Sequence, residues 1–280
     1  MSDRLPYTPP YAPGHRSVEY RIPVPTSLDE YQKALHYMTG RTAKKEVETG
    51  DSGVELIVSE PFDDPARGGK GVYTEKVYHL ESRMPAVARK LLPNSAKVVH
   101  EFCWNAFPNI RTELHVPFFK KASVIIESRH VEGLDVPDSV FADAEPCPSD
   151  TPVVVLNIAS DPTPEKDACD EEEPSLVSSA TTGRLPLARD WLDTAAAGTA
   201  AKDTPYITVC KRVMLTFSYT GVQKKGETSG LDSYKPIFLT THKQLVSWID
   251  DWFPMTLEDC RNFEIEILEQ LEASKSKPES

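Results

Sequence analysis

The sequence predicts an α+β protein in which helices grip one long, mostly antiparallel β-sheet. Six strand-like segments follow one another between residues 54 and 158 with only one short helical interruption, which predicts a meander of adjacent strands. A further long strand is predicted late in the chain, at residues 206–219. Two amphipathic helices then close the chain at residues 234–252 and 257–273.

Local patterns mark the first strand, the first helix and the strands of the meander. A strand is predicted at residues 17–24, and Ser27 and Glu30 then form a capping box that begins a helix. The residues predicted on the inner face of that helix are Leu28, Tyr31, Leu35 and Met38. The meander strands are predicted at residues 54–59, 72–82, 96–107, 111–118, 123–131 and 153–158. The interrupting helix, at residues 85–92, begins at a proline and is stopped by Pro93.

Two segments contain little that could be buried. Residues 161–182 are acidic, rich in Ser and Thr and poor in large apolar residues, which predicts a mobile loop. Residues 221–232 contain three glycines, which predicts a second flexible segment.

Length and composition indicate one domain in a reducing compartment. The 280 residues are divided into a Pro-rich extension at 1–17, a domain at 18–275 and a tail at 276–280. The net charge of −12 argues against a nucleic-acid binder, because phosphate neutralisation needs clustered positive charge. The five cysteines are scattered and form no C-x-x-C pair, which favours the cytoplasm. No signal peptide or membrane-spanning run is recognised, so we expect any membrane contact to be peripheral.

Alternation along residues 71–80 places polar and apolar side chains on one strand face. Thr74, Lys76, Tyr78 and Leu80 share this face. A lysine and a hydroxyl beside aromatic and aliphatic positions suit a cavity whose closed end hydrogen-bonds a polar head group and whose walls hold an apolar body. The alternative is an exposed edge strand whose lysine points into water.

A carboxylate interrupts the apolar stripe of the last predicted helix. Thr256 and Asp259 form a start that resembles a capping box, and apolar residues follow at helical spacing with Glu264 among them. A carboxylate on a buried face is costly unless it is paired. We therefore expect Glu264 to contact a cation such as Lys76, or the hydroxyl groups of a ligand. The alternative places Glu264 at the margin of the stripe, reaching solvent.

Short motifs that suggest catalysis or metal binding lack the context that such sites require. Residues 50–53 (GDSG) match the nucleophile tetrapeptide of chymotrypsin-like proteases, but no histidine segment of that class precedes them, so a turn is expected. Residues 68–71 (GGKG) lack the spacing of a phosphate-binding loop. The seven histidines form no H-E-x-x-H motif and no zinc-type pairing with cysteine. The sequence predicts no metal site, no cofactor and no catalytic residue.

Several longer segments together resemble the class I phosphatidylinositol transfer proteins. In order, these are GKGVYTEKVYHLESRMPAVARKLLP, HEFCWNAFPNIRTEL, TTGRLPL, HKQLVSWIDDW and TLEDCRNFEIE, and the match covers residues 18–273. The combination of Tyr-Thr-x-Lys-x-Tyr-His-Leu with Trp-Asn-Ala-aromatic-Pro is specific. The resemblance implies a START-like helix-grip fold, in which a curved sheet and long helices enclose one phospholipid.

The resemblance also implies the ligand contacts and the partners. The positions that correspond to inositol contacts of the family are Thr74, Lys76, Asn105 and Glu264. Those that correspond to its phosphate contacts are Thr112, Ser128 and Lys211. The implied ligands are phosphatidylinositol and phosphatidylcholine. We expect a monomer in the cytoplasm that associates transiently with membrane surfaces and does not bind nucleic acid.

The chain departs from the family pattern at five places. Leu35 stands where the family has a phosphate-contacting glutamine, Ser128 where threonine is usual, and Ile110 where a cysteine lies near the head group. A membrane-inserting Trp pair corresponds to Tyr219-Thr220, which predicts a weaker apolar anchor. Ser179 matches a regulatory serine but lacks its flanking lysines.

The free energy of moving acyl chains into water indicates how lipid transfer would proceed. Two acyl chains bury about 30 CH₂ groups at about 0.8 kcal/mol each, so a lipid cannot enter water unaided and exchange must occur on a membrane. We expect the helix at residues 85–92 to swing aside with the C-terminal helix on docking. The alternative is that this helix covers a static cavity.

Two other functional classes stay open at the level of sequence. An enzyme on the same scaffold that acts on an apolar substrate would need a paired acid and base and access for water. A lipid sensor that presents its ligand to a kinase would use the same pocket without bulk transfer.

Overall fold

A computed structural model describes residues 16–48, 53–81, 90–144, 146–198 and 204–275. Several predictions fall wholly or mainly outside the described residues, namely those on the N-terminal extension, the GDSG turn at 50–52, the short helix at 85–89 and the tail at 276–280. Within the described ranges, one curved sheet of eight strands is combined with several helices. The α+β class and the helix-grip architecture are confirmed.

Eight strands form one open sheet. They are β1 (Arg16–Val24), β2 (Val54–Asp64), β3 (Gly69–His79), β4 (Val98–Ala106), β5 (Asn109–His115), β6 (Ala122–Glu132), β7 (Val153–Val155) and β8 (Ile207–Phe217). Their order across the sheet is β2-β3-β4-β5-β6-β8-β1-β7. All neighbours pair antiparallel except β1 and β7, which pair parallel. The predicted meander is correct for β2 to β6, and the late strand β8 joins it to β1. The sixth predicted strand, β7, is not part of the meander, because it pairs with β1 at the opposite edge of the sheet.

The helices lie against one face of this sheet and at its ends. They are α1 (Leu28–Glu48), α2 (Trp191–Ala196), α3 (Gln223–Asp232), α4 (Tyr234–Ser247), α5 (Ile249–Trp252) and α6 (Leu257–Lys275). Both predicted capping boxes are present. The Glu30 amide donates to Ser27 Oγ at 3.2 Å, and the Asp259 amide donates to Thr256 Oγ1 at 3.1 Å.

Two apolar clusters hold the helices in place. The larger cluster packs β1 and β8 against α1, α4 and α5, and its fully buried members include Ile22, Val209 and Trp252. The smaller cluster joins α6 to the end of α1 and to β2 through residues such as Ala43, Val54 and Leu268. Because α1 contributes to both clusters, it fixes α6 relative to the sheet.

The prediction of a flexible segment at residues 221–232 is wrong, because most of it forms helix α3. A Cβ atom added to Gly226 or Gly230 would lie 2.4 Å from the side chain of Phe217 or Leu215, respectively. The two glycines therefore allow the helix to lie directly on β8. Leu231 is buried in the main core and supplies the anchor that the composition did not suggest.

The acidic segment at residues 161–182 forms turns and short 3₁₀ helices, as predicted for a loop. It is nevertheless attached to the helices. Lys243 Nζ lies 2.6 Å from Glu173 Oε2, and Ser179, which is buried, donates a hydrogen bond to Asp250. Ser179 is thus buried and hydrogen-bonded to α5.

Candidate functional site

The sheet residues predicted to contact a ligand all lie on one face of the sheet. The register pairs Lys76 with Glu101 and Thr74 with Cys103 across β3 and β4, and it pairs Ser128 with Lys211 across β6 and β8. Side chains two residues apart on a strand share a face. The residues that consequently share the inner face are Thr74, Lys76, Asn105, Thr112, Ser128 and Lys211.

Lys76 and Glu264 form a buried ion pair between β3 and α6. Lys76 Nζ donates to Glu264 Oε1 at 3.1 Å, and Glu264 Oε2 lies 2.7 Å from His36 Nδ1 on α1. The exposed fraction of the side chain is 8% for Lys76 and 16% for Glu264. The predicted pairing is confirmed. The two alternatives, in which Lys76 points into water and Glu264 reaches solvent, are wrong.

The charges at this pair are stable across the physiological pH range. Burial on its own lowers the pKa of Lys76, but the neighbouring carboxylate of Glu264 outweighs burial, so the pKa lies above its ordinary value. Burial raises the pKa of Glu264, yet Lys76 and His36 oppose it and the result is a pKa of about 2. The pair therefore offers an ammonium donor and a carboxylate acceptor side by side, which suits a ligand rich in hydroxyl groups.

Sequence reasoning missed Glu101, Cys103 and His36 at this site. Tyr78 donates from its hydroxyl to Glu101 Oε1 at 3.3 Å, and burial raises the pKa of Glu101 despite the nearby charge of Lys76. Alternation along β4 could have identified Glu101 and Cys103, because they share a face with Asn105. No pattern in the sequence pointed to His36.

Lys211 is a cation that has no carboxylate partner in the described part of the chain. Its Nζ donates to Ser128 Oγ at 3.2 Å and lies 5.2 Å from the centre of the Phe238 ring, and no ion pair to Lys211 is found among the described residues. Burial lowers its pKa to about 8. Burial together with the charge of Lys211 lowers the pKa of His130 and of His242 to about 3, so both imidazoles are neutral. An anion would relieve this unfavourable arrangement.

The remaining predicted residues line the same face between the two lysines. Asn105 Oδ1 accepts from the Phe107 amide at 3.2 Å, and Thr112 Oγ1 donates to Cys103 Sγ at 3.6 Å. Four strand spacings of about 4.8 Å separate β3 from β8, so the path along the curved sheet is about 19 Å and the direct distance between the two strands is shorter. Lys76 and Lys211 are thus placed to meet different parts of one ligand.

Several side chains on the inner face lie deep in the protein and yet retain some accessible surface. Burial raises the pKa of the Cys103 thiol to about 12, although Cys103 itself is only partly buried. Thr74 and Thr112 are also only partly buried. Side chains that are deep in a protein and retain exposed surface are typical of the wall of an internal space.

The described part of the chain contains neither a membrane-spanning helix nor a metal-binding cluster. None of its helices is long and apolar enough to cross a bilayer. No group of three or more His, Cys, Asp or Glu side chains in these residues could hold a metal ion.

Comparisons with known proteins identify a family and several relatives of this chain. The family model described as phosphatidylinositol transfer protein matches residues 15–269. Phosphatidylinositol transfer protein 2 of Dictyostelium discoideum is 36% identical over 266 residues, which are 92% of this chain and 97% of that protein. Protein retinal degeneration B of Drosophila melanogaster is 36% identical over 253 residues, which are 88% of this chain and 20% of that protein.

Membrane-associated phosphatidylinositol transfer protein 1 of Mus musculus is 36% identical over 260 residues, which are 92% of this chain and 20% of that protein. The chain therefore spans about a fifth of the length of two of these relatives and nearly all of the third. The family match covers most of the chain, and the three relatives are each 36% identical to it over the aligned residues. The chain belongs to the phosphatidylinositol transfer protein family.

Proposed function

We propose that this protein binds one phospholipid, phosphatidylinositol or phosphatidylcholine, between the inner face of the sheet and helices α1, α4 and α6, and exchanges it between membranes. The observation that carries this proposal is the buried pair of Lys76 and Glu264, which joins the sheet to α6 on the face that holds every predicted contact. A buried ion pair is weak evidence for stability on its own. Its position at the end of a partly exposed inner face supports a role in binding.

The inositol ring is read by donors and acceptors at one end of the inner face. Lys76, Thr74 and the amide nitrogen of Asn105 supply donors, and Glu264 accepts from ring hydroxyls. A choline head group offers no hydroxyl to these groups. Buried polar groups left without partners are costly, so a preference for phosphatidylinositol of about 1–3 kcal/mol is expected from this set.

The phosphodiester is held by Lys211, Ser128 and Thr112. Lys211 supplies the positive charge and the two hydroxyl groups supply donors. This assignment accounts for a partly buried lysine whose described partners are a hydroxyl group and an aromatic ring. Both lipids carry the same phosphodiester, so these residues serve both.

Membrane contact is assigned to a docking patch at one end of the sheet. The patch comprises Phe118, Phe119, Tyr219, Val222, Lys120 and Lys121. Phe118 is 44% exposed and Val222 52% exposed, while Phe119 packs edge-on against Tyr219. Lys120 and Lys121 are also exposed. Apolar side chains beside lysines suit an anionic bilayer surface. The two lysines of the patch supply positive charge on a chain whose net charge is −12.

The domain bounds, the oligomeric state and the cellular location are proposed from the sequence. We place the lipid-transfer domain at residues 18–275, with the Pro-rich extension before it and a short tail after it. We propose that it works as a monomer in the cytoplasm, associates transiently with membranes, and carries out no bond-making step on its lipid.

A vesicle assay that measures the transfer of both lipids tests the proposal. Lys76→Ala and Glu264→Ala should each reduce phosphatidylinositol transfer by about tenfold or more, because each removes a group proposed to hydrogen-bond the inositol hydroxyls. Phosphatidylcholine transfer by the same variants should change much less. Exposed Glu266, on the same helix, provides the matched control, and Glu266→Ala should change neither rate. Equal loss of both activities at Lys76 and Glu264 would remove them from head-group selection.

A further inference from the structure

Glu101 places a carboxylate on the inner face of the sheet, close to the predicted lipid contacts. It shares that face with Cys103 on β4 and lies opposite Lys76 on β3. The Tyr78 hydroxyl donates to Glu101 Oε1 at 3.3 Å, whereas Oε2 has no hydrogen-bond partner among the described residues. Glu101 is partly exposed, and Oε2 is not one of the unpartnered atoms that are sealed from solvent. This oxygen therefore faces accessible space on the inner face.

Glu101 forms no ion pair in the ranges that the structure describes. The ammonium of Lys76 donates to Glu264 instead, at 3.1 Å. Burial raises the pKa of Glu101, and the charge of Lys76 and the hydrogen bond from Tyr78 oppose this effect only in part. An ionised carboxylate in such a place is costly without a counter-ion. A ligand that brings a positive charge would relieve this cost.

Lys211 and Glu101 provide separate positive and negative charges on one face of the sheet. Lys211 has no carboxylate partner among the described residues, and Glu101 has no cation bonded to it. A phosphatidylcholine head group is a zwitterion, in which two methylene groups join a negative phosphodiester to a positive trimethylammonium group. Its two charges match the two unpaired charges of the protein. Phosphatidylinositol has no positive group and cannot use Glu101 in this way.

The strand register places Glu101 within reach of the proposed phosphodiester contacts. Thr112 lies directly opposite Cys103, and Glu101 is two residues from Cys103 on the same strand. Diagonal positions of this kind in an antiparallel pair are about 7–8 Å apart. A head group whose phosphate contacts Thr112 can therefore place its ammonium beside Glu101. Asn105, a predicted inositol contact, lies on the other side of Cys103 along β4.

Two tyrosines add aromatic surface beside Glu101. Tyr78 and Tyr234 are both partly exposed, and Tyr78 contacts Glu101 directly. The Tyr234 ring lies 5.7 Å from that of Phe238, which is itself 5.2 Å from Lys211 Nζ. After burial, the charge of Glu101 is the next cause that raises the pKa of Tyr234, so these two groups are close. Aromatic rings attract quaternary ammonium groups.

We propose that Glu101, with the rings of Tyr78 and Tyr234, forms the subsite that binds the trimethylammonium group of phosphatidylcholine. The carboxylate neutralises the cation, and the rings cover its methyl groups. Lys211, Ser128 and Thr112 hold the phosphodiester at the same time. The inference rests on the proposed function and assigns the recognition of the second lipid to residues that do not read the inositol ring.

The test measures phosphatidylcholine and phosphatidylinositol transfer by the full chain and by Glu101→Gln. Glutamine keeps the length of the side chain and an acceptor for the Tyr78 hydroxyl, but it carries no charge. We expect phosphatidylcholine transfer to fall about tenfold and phosphatidylinositol transfer to stay within about twofold. Glu101→Asp, which keeps the charge, should recover part of the loss. Glu60→Gln removes the same charge at an exposed position on β2 and should change neither rate.

Nuclear Overhauser contacts locate the ammonium group without relying on transfer rates. Phosphatidylcholine with carbon-13 in its choline methyl groups is loaded into the full chain. We expect contacts from the methyl protons to the ring protons of Tyr78 and Tyr234. Tyr78→Phe keeps the ring and Tyr78→Leu removes it, so the leucine variant should lose more phosphatidylcholine transfer relative to phosphatidylinositol transfer.

Three results would each overturn the proposal: unchanged phosphatidylcholine transfer by Glu101→Gln, equal loss of both lipids, or choline methyl groups that contact neither tyrosine ring. The proposed function fails in a different way. A parent chain that transfers neither lipid would overturn that function. A parent chain that transfers both lipids, with Glu101→Gln behaving identically, would overturn the ammonium subsite alone.

Discussion

Gly40 of α1 lies directly against the backbone of Glu264 in α6. A Cβ atom added to Gly40 would be 3.0 Å from the Glu264 Cα and 3.1 Å from the ring of Phe263. The two helices therefore cross with no space for a side chain between them. This close crossing holds the Glu264 carboxylate within reach of Lys76 and His36. The geometry of the proposed head-group site thus depends on a residue that has no side chain.

Gly40→Ala should move α6 away from α1 and weaken the pairing of Glu264 with Lys76. Alanine favours a helix by about 1 kcal/mol over glycine, whereas overpacking costs about 1–3 kcal/mol, so we expect a net loss of about 1 kcal/mol in the free energy of unfolding. Transfer of phosphatidylinositol should fall relative to that of phosphatidylcholine. Urea unfolding and the two-lipid vesicle assay measure these effects. An unchanged lipid preference would show that the crossing does not set head-group selection.

His36 should act as a positioning residue for Glu264. His36→Leu removes the contact with Glu264 Oε2, and we expect phosphatidylinositol transfer to fall about fivefold with phosphatidylcholine transfer unchanged. His36→Gln retains a donor in the same region and should recover most of the loss. If the leucine and glutamine variants transfer phosphatidylinositol equally well, the hydrogen bond has no role in selection.

Local patterns were sufficient for much of the fold. Alternation predicted the strands of the meander, and the residues around Ser27 and Thr256 predicted two helix starts, because these signals need only a few neighbouring residues. Glu264 could be identified as needing a partner for the same reason. The resemblance to the family supplied the list of predicted contacts. The strand register explains why those on the sheet share one face.

Other features depend on contacts between distant parts of the chain. His36 and Glu264 are separated by 228 residues, and nothing near His36 in the sequence indicates that α6 crosses there. Gly226 and Gly230 suggested flexibility because glycine weakens a helix in isolation. In the fold they remove the steric conflict with Phe217 and Leu215, so the packing of α3 on β8 outweighs the low helix propensity of glycine.

Lys211 should make lipid binding sensitive to alkaline pH. Burial lowers its pKa from 10.5 to about 8, and a bound phosphodiester favours the charged form. Above about pH 8 the lipid-free site loses this proton, so affinity for both lipids should fall by at most about tenfold per pH unit. Binding of a fluorescent phosphatidylcholine between pH 7 and 9.5 measures the effect. Lys211→Met should bind more weakly at pH 7 and lose the pH dependence.

The stability of the lipid-free protein should change in the opposite direction. Between about pH 8 and 10.5 the unfolded chain retains a proton on Lys211 that the folded chain has lost, so the free energy of unfolding rises with pH in this window. The neighbouring imidazoles of His130 and His242 have a pKa of about 3, as burial lowers it, and do not titrate there. A parent chain and a Lys211→Met variant with the same pH profile would exclude Lys211 as the titrating group.

The docking patch should control the rate of transfer without affecting the choice of lipid. Phe118→Ala combined with Val222→Ala removes two partly exposed apolar side chains, whose insertion contributes about 1–2 kcal/mol, so transfer of both lipids should slow about tenfold. The matched control is Val155→Ala on β7, at the sheet edge, where the side chain is 57% exposed. It should leave both rates unchanged. Loss of phosphatidylinositol transfer alone in the double variant would contradict docking, because membrane contact precedes the exchange of either lipid.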